Sequence, residues 1–598
     1  MIVWAASSAY LFHLLDHNWI PYDEGLLGQS AERVLLGEMP HRDFAEVYTG
    51  GLSYLNAAGF EVLGVHLLTL RYILYAAFLA WVPAVFYCAS RFVSPAGAAV
   101  VTALAVVWTV PNYPAAMPSW YNLFFATFGV SALLRFAVGG RRGWLFCAGV
   151  MGGCSILAKI SGAYFVAAGL LYLTFHEAVS APEHGGTDGR SYGVLVAAGL
   201  LAFLGALALL LHRNLTVAHG YHFFLPGAAI AALVLRAVIS SPQWPLHARL
   251  AHLWQVAWPF MLGVGLPIAL FVTPYLAGGS LAALARGVLV NPTARIASAA
   301  FRPMTWLAVL PAGFLALVIL LGMRANDARW QWLAILLFAV MPVAALLIGG
   351  SEYAYHVTWV SVSQSIPLVV VGGVLVLLSR RGRSREGDQA DQECFILLAT
   401  AGLCSLIEFP LSHPTYFAYT APLTLLALVA VLRLMGGMPR PLALVLGGFY
   451  GGFAVLVLNT RSVNELGLTA APAQPLARLE LPRAGLLVGV RDATQYRALV
   501  DTLRAHARGF YTYAGPDAPE IYFLTGLRNP TRTLFEFLEP AEQSADRVLA
   551  AVDRHGVTAV AINRDMKFSP PLSPELDAAF ARRFPHARTM GKFTVRWQ

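Results

Sequence analysis

Apolar runs broken by short polar connectors fill the first 460 positions. They lie near 1–20, 67–90, 97–112, 119–138, 144–158, 160–177, 193–211, 221–239, 254–276, 304–323, 330–349, 358–379, 394–410, 414–434 and 441–459. A bilayer-crossing helix needs roughly 17–25 residues, so the pattern predicts about fifteen spans. Positions 21–66 behave differently. Leu26, Leu27, Val34 and Leu35 separate from Gln29, Ser30, Glu32, Arg33 and Glu38 on a helical wheel. That predicts a helix over 26–38 lying in the membrane interface. The Met39-Pro40-His41-Arg42-Asp43-Phe44 stretch breaks it. A second apolar helix, over 52–64, follows Gly50-Gly51 and is too short to span comfortably.

Beyond 460 the pattern changes. Positions 461–484, with Ala470-Ala471-Pro472-Ala473-Gln474-Pro475, read as a linker. Gly-Leu-Leu-Val-Gly-Val at 485–490 predicts a buried strand. Asp492 can cap a helix over 493–507 whose Tyr496, Leu499, Val500 and Leu503 share a face. Helices over 542–555 and 574–584 and strands over 557–562 and 592–597 complete a small α/β domain at 485–598. It holds no Gly-rich phosphate loop of the expected spacing. No internal repeat is evident.

Composition agrees with the spans. The chain is 58% hydrophobic and 12% charged, against about 25% charged in a soluble domain. The net charge of +9 does not indicate nucleic acid, because the basic residues cluster between apolar runs. Cys88, Cys147, Cys154, Cys394 and Cys404 all lie in apolar stretches, so no disulfide framework is expected. Residues 1–20 lack a basic leader and a small-residue cleavage site, so no cleaved signal is expected.

Charge also orients the chain. Arg91, Arg135, Arg141 and Arg142, Arg236 and Arg249, Arg324 and Arg329, the arginines of 380–385, and Arg433 and Arg440 fall on one side if connectors alternate. By the positive-inside rule that side is cytoplasmic. The opposite side then holds 21–66, Lys159, the loops 277–303 and 350–357, His413 and the C-terminal domain. Arg286, Arg295 and Arg302 break the rule by facing outward. They suit either an anionic ligand or ordinary loop solvation.

The outer side gathers the residues that could carry chemistry. Asp23 and Glu24 stand at the mouth of the first span, where carboxylates are costly. Such an acid can deprotonate an acceptor hydroxyl or stabilise an oxocarbenium-like centre. It can equally cap the helix that follows. Asp43 and Glu46 are a second acid, a metal ligand or solvated loop residues. Lys159 interrupts a long apolar stretch and either holds a phosphate or snorkels to the interface. His356 and His413 sit at span ends, but no spacing matches a zinc pattern. Pro118-Ser119-Trp120-Tyr121-Asn122 opens a span with aromatic and amide groups.

On these residues the chain resembles the GT-C membrane glycosyltransferases that use polyprenyl-phosphate sugars. The bacterial branch in question includes protein O-mannosyltransferases, lipid A aminoarabinose transferases and rhizobial core-oligosaccharide transferases. The resemblance rests on Tyr22-Asp23-Glu24-Gly25, Gly28–Arg33, Gly37–Phe44, the short helix Gly51–Gly64 and Leu157-Ala158-Lys159-Ile160-Ser161-Gly162, and covers residues 1–460. It implies an inverting transfer on the outer face of a bacterial inner membrane. The acceptor would be an envelope glycolipid, polysaccharide or protein. It implies Asp23 as base with Glu24 behind it, and Lys159 on the donor phosphate; by charge, His413 or an arginine among Arg286, Arg295 and Arg302 is a candidate to join Lys159 there. Relatives carry a further acid between the third and fourth spans. Asn112–Ser119 has none, so either Asp43 substitutes as the second acid or no second acid is needed. No cofactor is certain, and a divalent metal stays open. The alternative reading is a transporter or flippase of lipid-linked sugars, which would favour polar residues at the bilayer midplane.

Overall fold

The computed structural model describes residues 1–180, 190–212, 216–241, 245–291, 362–380, 385–410, 414–436 and 475–598, with scattered positions in 336–347 and 446–455. The predicted span at 304–323 and most of those at 330–349 and 441–459 lie outside the described residues. So do Arg295, Arg302, His356, His413 and most of the 461–484 linker.

Among the described residues, eight helices have the length and hydropathy to cross a membrane, and five shorter apolar helices accompany them. The chain is therefore a multi-pass helical bundle carrying a small C-terminal sheet domain. Its first eight helices are α1 (Ile2–Leu14), α2 (Pro21–Leu35), α3 (Gly51–Leu63), α4 (Leu67–Ser90), α5 (Pro95–Val107), α6 (Pro118–Gly139), α7 (Gly143–Ala158) and α8 (Ala163–Val179). The expected loop at 277–303 contains a short apolar helix, Leu281–Val290. Ten residues are too few for the spanning template, so the hydropathy pattern passes over them. Bundle packing rests on small residues. A side chain added at Gly149 would meet the Phe260 carbonyl, and one at Gly263 the Phe146 carbonyl. The backbones of α7 and helix Leu246–Ala277 therefore touch, as apolar helices do where no side chain intervenes.

α2 starts at Pro21, five residues before the predicted start. Proline is favoured in the first helical turn because its missing N–H would have no intrahelical partner. Asp23 and Glu24 consequently fall inside that turn. α2 is not an open interfacial helix. Residues from Glu24 to Ala31 are buried, with α3 on one side and helix Pro519–Thr525 of the C-terminal domain on another. Gly25 and Gly28 make the second contact. A Cβ at Gly25 would lie 2.3 Å from the Glu520 backbone, and one at Gly28 2.7 Å from the Phe523 ring.

Strands β1 (Leu476–Arg478) and β2 (Leu487–Gly489) pair antiparallel. β3 (Tyr513–Gly515), β4 (Ala559–Asn563), β5 (His586–Met590) and β6 (Phe593–Trp597) form a sheet in the order β3-β4-β6-β5. Only the β3–β4 pair is parallel. Val548, Val552, Ile562, Leu576 and Phe580 form a core of the domain's own. Helix Val490–His506 buries Tyr496, Leu499, Val500 and Leu503. The domain is stitched to the bundle by backbone hydrogen bonds. Asn18 N–H donates to Leu487 and Leu487 N–H to Asp16, each at 2.7 Å, and Leu67 N–H donates to Arg483 at 2.9 Å.

These contacts fix the two ends of the bundle. Leu67, at the start of α4, touches the domain; Arg91 lies just past its other end, about 36 Å along the axis. At that far end Arg91 pairs with Glu393 (2.6 Å), Arg380 with Asp391 (3.1 Å) and buried Arg249 with Glu177 (2.7 Å).

Candidate active site

The N-terminus of α2 separates its two acids. Glu24 is 1% exposed and Arg71 is not exposed at all. Arg71 Nε donates to Glu24 Oε1 at 2.7 Å and Nη2 to Oε2 at 2.9 Å. The same guanidinium donates to the carbonyls of Leu15 (2.8 Å), His17 (3.0 Å) and Asn18 (2.5 Å). Ile20 N–H donates to Glu24 Oε2 at 3.1 Å. A bidentate carboxylate–guanidinium pair is geometrically restrictive. Glu24 thus clamps the α1–α2 corner to α4.

Asp23 is half-buried and accepts a short hydrogen bond from the Tyr113 hydroxyl. Tyr113 comes from the α5–α6 loop, the loop that lacks an acid. Burial, and then the Asp23 charge, hold its hydroxyl well above the usual phenol range, so it stays a proton donor. The Tyr113 carbonyl accepts from Trp120 Nε1 at 3.0 Å. Trp120 packs edge-on against Tyr419 (4.4 Å between centroids), and Tyr419 against Tyr416 (5.7 Å). Lys159 Nζ lies 5.4 Å from the Tyr416 ring centre and 5.9 Å from that of Tyr48. It donates to Ser119 Oγ at 3.0 Å. A chain of contacts through Tyr113, Trp120, Tyr419 and Tyr416 therefore links the Asp23 carboxylate to the Lys159 ammonium.

Lys159 opens into a cavity of about 390 Å³ whose wall includes Tyr48, Tyr164, Leu210, Leu289, Leu406 and Tyr416. An ammonium in a mostly apolar cavity suits an anion attached to an apolar chain, since cation–π contacts already hold the charge in place. The Lys159 turn is fixed from behind, where the Asn122 amide reaches Ser161 (2.7 Å) and Ser155 (3.2 Å).

The other expected residues lie apart. The Arg286 side chain is exposed, although its neighbours Val288 and Leu289 line the Lys159 cavity. Asp43 accepts from Arg42 and from Met39 N–H (2.7 Å) and faces a different cleft, against the C-terminal domain. Burial works to raise its pKa, but Arg42 and the Met39 N–H outweigh it and hold the carboxyl below its usual range. Glu46 is buried, accepting from Val47 N–H (2.9 Å) and Ser53 Oγ (2.7 Å). Among the described residues no three His, Cys, Asp or Glu side chains converge.

Two participants were not singled out from the sequence. Arg71 carried a signal, since an arginine five residues into an apolar run needs a buried partner, and Glu24 is that partner. Tyr113 carried none, because its partner is 90 positions away.

No family model matches the sequence, and no curated protein matches it. Among solved structures the chain is similar to ArnT from Cupriavidus metallidurans bound to undecaprenyl phosphate. That match has 14% identity and a TM-score of 0.37 and covers 100% of this chain and 97% of that one. It is also similar to the oligosaccharyltransferase of Archaeoglobus fulgidus in complex with Zn and sulfate, at 11% identity and a TM-score of 0.42, over 94% of this chain and 68% of that one. Likenesses at this level carry no functional argument.

Proposed function

We propose that the chain is a membrane glycosyltransferase that moves a sugar from a polyprenyl-phosphate donor to a cell-envelope acceptor outside the cytoplasm. The observation that carries this reading is the chain of contacts from Asp23 through Tyr113, Trp120, Tyr419 and Tyr416 to Lys159, with a mostly apolar cavity at the lysine end. A carboxylate at one end and a cation at the other suit the two charges that develop in such a transfer.

In this reading the donor's prenyl chain occupies the apolar side of the Lys159 cavity and its phosphate meets the ammonium. The acceptor hydroxyl approaches Asp23, whose carboxylate takes its proton as the oxygen attacks the anomeric carbon. The new C–O bond forms opposite the breaking one, so the sugar inverts. The bonding pair leaves with the phosphate, and Lys159 offsets that charge. Tyr113 holds the Asp23 carboxylate in one orientation. Glu24 is assigned to positioning through Arg71, and exposed Arg286 to the rim of the donor cavity. His413, outside the described residues, stays a candidate for the same phosphate.

The far-end cluster of Arg91, Arg249 and Arg380 supports reading that end as cytoplasmic and the α2 end as extracytoplasmic. The test is Asp23→Asn in the full chain, assayed for transfer from a polyprenyl-phosphate sugar in membranes. Transfer is expected to fall at least about 100-fold, the scale of general-base catalysis, with membrane content unchanged. Undiminished transfer would move the base elsewhere.

A further inference from the structure

The seam between α2 and the C-terminal domain holds a second cavity, a cleft of about 500 Å³ that shares no lining residue with the Lys159 cavity. Arg33, Arg528, Arg532, Arg547 and Arg554 line it, against Glu38, Asp43 and Glu542. Three of these arginines are neutralised. Arg33 pairs with Glu38 (2.5 Å), Arg532 with Glu539 (2.8 Å) and Arg547 with Glu542. Among the described residues, no carboxylate lies within ion-pairing distance of Arg528 or Arg554. Both are exposed in the cleft.

A separate observation points into the same space. Gln29, on α2, lines the cleft and is 3% exposed, yet its Oε1 has no hydrogen-bond partner among the described residues. A buried amide oxygen without a donor is costly. A turn of the Gln29 side chain that brings this oxygen to the cleft surface would let a ligand O–H or N–H satisfy it. The cleft therefore offers two chemistries side by side, surplus guanidinium charge and an unmet acceptor. A simple polyanion would use only the first, and a neutral glycan only the second. An anionic sugar uses both.

We propose that this cleft is the acceptor subsite and that it takes a sugar bearing a phosphate or a carboxylate. The inference rests on the glycosyltransferase reading and narrows its acceptor to an acidic glycan or glycolipid. Gln29 and Arg33 lie one helical turn apart on one face of α2. Gln29 is about 9 Å along the axis from Asp23 and about a third of a turn round. An acceptor anchored by its charge in the cleft must therefore be longer than about 9 Å for a more distant hydroxyl to reach Asp23. Arginine suits the anchor because its fork binds carboxylate and phosphate oxygens in pairs.

The probes are glucose 6-phosphate, glucuronate and glucose, titrated into the full chain in detergent and followed by saturation-transfer NMR. At least one charged sugar is expected to bind and glucose not to. The charged sugar that binds more tightly identifies the source of the anion. The double variant Arg528→Ala/Arg554→Ala is expected to weaken binding at least tenfold. Both side chains are exposed, so the fold is kept. Lys159→Gln and Asp23→Asn are expected to leave this binding unchanged even where transfer is lost, which separates this inference from the catalytic one. Equal binding of glucose, no binding of either charged sugar, undiminished binding by the arginine variant, or loss of binding in Lys159→Gln would each overturn it.

Discussion

Two adjacent carboxylates in one helical turn do different work because their neighbours differ. Glu24 points inward and meets Arg71; Asp23 points toward Tyr113 and stays half-open. Removing one partner of a buried ion pair leaves the other charge stranded, at about 3–5 kcal/mol. Glu24→Ala is therefore expected to destabilise the protein by that order, read as a large drop in thermal unfolding temperature in detergent. Asp23→Asn is expected to unfold close to the wild type. Equal effects of the two would contradict the division of roles. Asp23 and Lys159 were legible in the sequence as polar groups in costly places. Tyr113 was not, since a tyrosine in a loop is ordinary until its hydroxyl is seen on a carboxylate.

At the scale of elements, α2 decides where the C-terminal domain sits. It is a helix between two bodies, with Gly25 and Gly28 on its domain-facing side. Gly25→Val places methyl groups against the Glu520 backbone, which cannot yield as a flexible side chain would. Overpacking of this kind costs about 1–3 kcal/mol. Limited proteolysis of the full chain is expected to release the C-terminal domain faster in Gly25→Val than in the wild type, while a surface change such as Arg497→Ala has no such effect. Within the domain, burial raises the Glu536 pKa to about 8. The folded state then holds a proton that the unfolded state, titrating near 4.5, has released. That contribution is full below about 4.5 and is lost as pH rises through about 8. Glu536→Gln is expected to flatten the fall in domain stability between those pH values, measured by hydrogen exchange across the range.

Several elements of this domain were legible and several were not. The amphipathic helix at 490–506 shows its period in Tyr496, Leu499, Val500 and Leu503. The strands at 557–562 and 592–597 were expected within a residue or two of β4 and β6. β1 and β3 are three residues each, too short for alternation to register. β5 reads His-Ala-Arg-Thr-Met and is exposed along most of its length, so no apolar pattern marks it. It is a strand because β6 offers an edge.

For the whole molecule, the arrangement of charge sets the orientation. Asp23, Lys159 and the C-terminal domain belong to one end of the bundle, and the Arg91, Arg249 and Arg380 pairs to the other. A reporter fused after Gln598 is expected to read as extracytoplasmic. A cytoplasmic signal would reverse the bundle and remove the donor geometry with it.

The sequence by itself determined the membrane class, the described spanning helices and the residues whose polarity is expensive where they stand; it did not mark β1, which lies inside the expected 461–484 linker. Each follows from local pattern, because hydropathy and helical period are properties of neighbouring positions. Only the tertiary structure decided that Glu24 is clamped by Arg71 while Asp23 meets Tyr113, which aromatic residues connect Asp23 to Lys159, and that α2 is covered by a domain encoded about 450 residues later. Those outcomes depend on contacts between distant segments, and the chain carries no local record of who will sit across from whom.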